Sequence, residues 1–75
     1  MYYLIYRRTL DVMKADMVLS GAGVSYEVVP VPKSISSECG LCIRVGDLQA
    51  ALDALSHHRP LKIYNAELEE LGDIP

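Results

Sequence analysis

The sequence predicts an α+β sandwich, a four-stranded antiparallel sheet with two helices on one face. Two observations carry this. Short β-type and helix-type segments alternate in the order β-α-β-β-α-β, the split βαβ arrangement called ferredoxin-like. The lengths also agree: helices of about 12 residues run ~18 Å, which matches strands of 5–6 residues at ~3.3 Å each. With 75 residues, 51% of them apolar, the chain allows one small domain with a core of its own.

Each element has its own local signal. Tyr2 to Arg7 is aromatic and β-branched, as a strand requires, and it ends in two arginines. Thr9 reads as the N-cap of the first helix, and Asp11 puts a carboxylate in its first turn, where the helix dipole favours one. Leu10, Met13 and Met17, and likewise Val12, Ala15, Leu19 and Ala22, recur at helical spacing. Gly21-Ala22-Gly23 closes that helix. Tyr26 to Val31 is the second strand, ended by Pro30 and Pro32, and Lys33 to Gly40 is a Ser-rich loop. Leu41 to Val45 alternates as a third strand. Asp47 is the N-cap expected for the second helix, whose apolar face is Leu48, Ala51, Leu52 and Leu55. His57-His58-Arg59 ends it and Pro60 forbids its continuation. Leu61 to Tyr64 is the fourth strand. The domain is thus residues 1–64, and 65–75 form an acidic tail in which Glu67 to Leu71 reads as one further helical turn.

Charge and composition exclude several classes of function. There are ten acidic and seven basic residues, a net of −3, and four of the acids (Glu67, Glu69, Glu70, Asp73) fall in the last nine positions. The remainder is near neutral without a basic stripe, which argues against a nucleic-acid partner. No apolar run approaches the ~18 residues of a membrane span. At the N-terminus the charges follow the apolar run instead of preceding it, unlike a signal peptide, so the cytoplasm is the expected compartment. Two cysteines cannot staple a fold this small as a disulfide framework does.

The topology places the chemistry. With the third strand between the first and second, the loop joining strands two and three lies at the end where strand one finishes. The first helix starts there and the second ends there. Cys39 is therefore expected on one edge with Arg8, Thr9 and His58. Helix amides and nearby cations stabilise a thiolate, and equally a persulfide or selenide anion on the same sulfur. Gly40 permits backbone dihedrals that other residues avoid, and Ser36 and Ser37 offer hydroxyl or amide donors. An inert loop thiol is the plain alternative.

Other constellations are weaker. Cys39 and Cys42 form a C-x-x-C, yet it leads into a strand, where an i to i+3 pair spans roughly 10 Å, beyond the ~7 Å limit for a disulfide. Cys42 faces away from Leu41 and Ile43 and reads as a small apolar strand residue on the less covered sheet face. His57 and His58 are adjacent, unlike the i, i+4 spacing that shares a metal, and read as solvated residues at a helix end. No metal and no cofactor is expected. Tyr2, Leu4 and Tyr6 share one sheet face, Tyr3 and Ile5 the other. Two helices cover only one face, so the open one invites a homodimer or another partner, unless the tyrosines simply cap an edge with wet hydroxyls.

The opening Tyr-Tyr-Leu-Ile, the helix with Ala15 and Leu19, and above all the run Pro30-Val31-Pro32-Lys33-Ser34-Ile35-Ser36-Ser37-Glu38-Cys39-Gly40-Leu41-Cys42-Ile43-Arg44 resemble the DUF3343 family, small bacterial proteins described as Se/S carrier-like. The resemblance covers roughly residues 2–64. It implies that Cys39 of the Cys-Gly pair holds sulfur or selenium, and that donor and acceptor proteins are the partners. Cys42 and the acidic tail lie outside the shared pattern. Three functions follow as expectations. The first is a persulfide or perselenide relay on Cys39 with no turnover of its own. The second is an interaction or regulatory module working through its sheet face. The third is a thiol-redox protein using both cysteines.

Overall fold

The computed structural model describes residues 1–35 and 39–72. Its elements are β1 (Tyr2–Ile5), α1 (Thr9–Ala22), β2 (Tyr26–Pro30), β3 (Leu41–Val45), α2 (Leu48–Ala54), β4 (Lys62–Tyr64) and β5 (Glu70–Leu71). The first six follow the ferredoxin-like order. The five strands build an antiparallel sheet in the order β2-β3-β1-β4-β5, with β3 between β1 and β2. Register pairs Tyr3 with Arg44 and Tyr64, and Val28 with Ile43.

Alternation along the strands sorts side chains onto two faces. Leu4, Tyr6, Ile43 and Val45 meet Val12, Ala15 and Leu19 of α1, and Ala51, Leu52 and Leu55 at α2. This helix-side core is nearly dry, and each buried Leu, Ile or Val stabilises it by roughly 1.5–3 kcal/mol. α1 ends at Gly23, whose φ of 72° is the left-handed geometry that glycine adopts without a Cβ clash. Asp47 caps α2 by accepting a hydrogen bond from the Ala50 amide at 3.0 Å.

One expectation is corrected. The segment after β4 is a hairpin, giving a five-stranded sheet where four strands and a helical turn are expected. The reason lies in Asn65, whose side-chain oxygen accepts from the amides of Glu67 (3.0 Å) and Glu69 (2.9 Å). Those amides are then withdrawn from any helical ladder. Leu68 takes a φ of 63°, and β5 returns alongside β4. On the sheet face opposite the helices the chain supplies a small cluster of its own. Ile5, Ile35 and Cys42 form a second buried cluster there, flanked by Tyr3, Val29, Val31, Tyr64 and Leu68. The flanking residues remain partly exposed. Among the described residues no helix is long and apolar enough to cross a membrane.

Candidate functional site

The β2–β3 connection is closed by the Val31 amide donating to the Gly40 carbonyl at 3.0 Å. Just inside, the Ile35 amide donates to the Pro32 carbonyl at 3.0 Å, and the Ile35 side chain is buried against Ile5 and Cys42. Cys39 goes the other way, into the helix-side core, where it is 4% exposed. The connection therefore straddles the end of the sheet, with one anchor on each face. Ser36 and Ser37, expected as donors, lie outside the described residues. Gly40 makes no use of the left-handed region, and a Cβ there would meet nothing within 4 Å.

The start of α1 meets this loop. Thr9 is the first helical residue and Arg8, in extended geometry, is the N-cap. That corrects the expectation for Thr9. Its hydroxyl is not used as a cap and lies 3.7 Å from the Cys39 sulfur, in hydrogen-bond contact. Arg8 is engaged by its own helix: Nε and Nη2 both reach the Asp11 carboxylate at 3.3 Å. That guanidinium foremost holds the Asp11 carboxyl below the usual carboxylate range, with a further contribution from His58. The first-turn amides of a helix have no intrahelical acceptors and carry the positive end of its dipole. Cys39 sits beside the first residue of α1.

His58 reaches the same turn. Its Nε2 lies 2.7 Å from the Asp11 carbonyl oxygen, and its ring stacks on Tyr6. The sequence reading of a solvated residue holds for His57, which is exposed, but not for His58, which is half-buried. Tyr6 and Ile35 are the two positions whose part in the site the sequence does not disclose. Tyr6 shows only its sheet face, and its hydroxyl partner is 52 positions away. Burial and the Asp11 charge push the Tyr6 phenol far above its ordinary range, so it is a neutral strut.

Cys42 is fully buried in the other cluster, with its thiol 3.9 Å from the Pro30 carbonyl oxygen. Burial, with the Cys39 sulfur adding, pushes that thiol up to about 11. The two sulfurs are thus in different clusters and are not joined to each other. Among the described residues no three His, Cys, Asp or Glu side chains gather as metal ligands. Neither a curated protein nor a solved structure matches the chain. A family model does, over residues 1–68, and the site residues Arg8, Thr9, Cys39, Gly40 and His58 all fall inside it. By that match the chain belongs to the family described as "Putative Se/S carrier protein-like".

Proposed function

We propose that the protein is a cytoplasmic sulfur or selenium carrier that holds a persulfide or perselenide on Cys39 and relays it between partner proteins. The observation that carries this reading is the position of Cys39 at the start of α1 with the Thr9 hydroxyl 3.7 Å from its sulfur. In loading, the Cys39 thiolate attacks the terminal sulfur or selenium of a donor persulfide or perselenide. A bond from Cys39 to that atom forms, the donor's own chalcogen bond breaks, and the donor thiolate leaves. In unloading, an acceptor nucleophile attacks the outer atom and Cys39 leaves as thiolate. Both steps are exchanges without net oxidation, so the carrier needs no cofactor and has no turnover of its own. The Thr9 hydroxyl is placed to donate to the anionic sulfur at each stage. Cys39 is 4% exposed, so each transfer requires a partner to lift it from its seat.

A C-x-x-C dithiol function draws no support from this arrangement, because Cys42 is buried in the cluster on the opposite face. The test is to incubate the protein with a cysteine desulfurase and cysteine, then record intact mass. The expected result is a gain of one sulfur that Cys39→Ala abolishes and Cys42→Ala preserves. No gain, or a gain that survives Cys39→Ala, overturns the reading. Loss of two hydrogens on mild oxidation would instead favour the dithiol.

A further inference from the structure

The exposed side of α1 is apolar where a solvated helix would be charged. Leu10 (59% exposed), Met13 (46%), Met17 (74%) and Val18 (38%) run along it at helical spacing. None of them is needed for the core, which α1 supplies with Val12, Ala15 and Leu19. Beside the stripe, Met17 and Val18 line a groove of about 380 Å³ together with Lys14, His57 and His58. The polar groups around this apolar floor are thus one ammonium and two imidazoles, with no carboxylate. The helix has two acids, and both are engaged off the stripe: Asp11 pairs with Arg8, and Asp16 accepts from the Tyr26 hydroxyl.

We infer that this face is a docking surface for an acidic amphipathic helix of a partner protein. Apolar side chains of the partner would lie along Leu10, Met13 and Met17, and its carboxylates would meet Lys14 and His57. Methionines suit such a surface because they are flexible and polarizable. The charge pattern selects among occupants. A second copy packing α1 antiparallel on α1 would centre the stripe on Met13 and Lys14. It would then bring Lys14 against its own equivalent with no carboxylate to separate them. The chain's own acidic hairpin is a poor ligand for a neighbour, because Leu68 and Leu71 already pack against its own sheet. The stripe begins at Leu10, next to Thr9, so a helix seated on it lies beside Cys39. The inference does not depend on what Cys39 carries.

The test uses the full chain, labelled with ¹⁵N, titrated with a designed amphipathic peptide of roughly sixteen residues with Leu on one face and Glu on the other. A second peptide has Lys in place of Glu. Amide shifts are expected to be confined to α1 and residues 57–58, with the Glu peptide binding about tenfold more tightly than the Lys peptide. Met17→Glu and Lys14→Glu, both at exposed positions, should each weaken the Glu peptide several-fold without altering the circular dichroism. Equal affinity for the two peptides, shifts centred on the sheet, or no binding at millimolar peptide overturns the inference. So does co-flotation with phosphatidylserine vesicles through α1, or a concentration-dependent dimer that broadens the α1 signals.

Discussion

The ring of His58 lies on the ring of Tyr6, centroids 4.9 Å apart and planes 14° from parallel, while the Tyr6 hydroxyl donates to the carbonyl oxygen of the same His58 at 2.6 Å. The other edge of His58 holds the first turn of α1 through Asp11. A carbonyl oxygen only accepts, so Nε2 carries a proton here. One imidazole thus joins the end of the second helical segment, the end of β1 and the start of α1. His58→Ala should cost about 1–3 kcal/mol in urea unfolding, from the lost stack and the lost hydrogen bond. Tyr6→Phe should cost about 1 kcal/mol. Values near zero for both would show that the clasp contributes little.

Thr9 offers a finer test of the site than Cys39 itself. Thr9→Val keeps the shape and removes the hydroxyl beside the sulfur. Under the carrier reading it should slow sulfur loading by about threefold to tenfold while leaving the melting temperature nearly unchanged. Thr9→Ser should load at close to the original rate. Loading as slow in Thr9→Ser as in Thr9→Val would remove the hydroxyl from the mechanism.

The β4–β5 hairpin packs Leu68 against the cluster that holds Cys42. Leu68→Ala should destabilise the chain by about 2 kcal/mol, and Asn65→Ala by about 1 kcal/mol. Both should speed the reaction of Cys42 with a thiol reagent, read by mass spectrometry in a Cys39→Ala background. An unchanged rate would mean that the hairpin does not guard this thiol.

Stability should fall at alkaline pH. A thiol raised by burial from its ordinary value near ~8.5 to about 11 contributes stability that is complete below the lower value. That contribution is lost as pH rises through the upper one. The buried Tyr6 phenol, also raised, extends the loss further. Urea midpoints for Cys42→Ala should therefore decline less than the parent's between about pH 8.5 and 11. Equal slopes would assign the decline elsewhere.

The acid side has the opposite sign. The Asp11 carboxyl is held low, chiefly by the hydrogen bond from Arg8, so its contribution is present above the ordinary carboxylate range and lost as pH falls through its lowered value. Asp11→Asn should flatten the acid limb of the stability profile, as measured by thermal melts from neutral pH downward.

Local rules made the frame legible. Period-two alternation sorts Cys42 from Ile43 and Tyr3 from Leu4, and Asp47 and Gly23 mark helix ends by their own chemistry. From that frame alone, Cys39 falls beside Thr9. What escaped reading depends on partners distant in sequence or on competition between local options. Glu67 to Leu71 has helical spacing, yet the Asn65 side chain takes the amides that a helix would need. Ile35 sits in a Ser-rich loop, and only the curvature of the chain around the sheet end shows that it plugs the far face. Thr9 looks like a cap because its residue type favours caps, whereas Arg8 supplies the extended geometry one position earlier.

The division of Cys39 and Cys42 between two clusters has a practical consequence. Proteins that release a mixed disulfide from within do so with a resolving cysteine beside the first. Among the described residues the only other sulfhydryl is Cys42, fully buried on the far side of the sheet. A partner thiol that became disulfide-linked to Cys39 would therefore stay attached until an external reductant arrived. Cys39 is thus suited to covalent trapping: a docked partner's cysteine joined to it by an added oxidant such as diamide would survive isolation on a non-reducing gel and could be identified from the adduct.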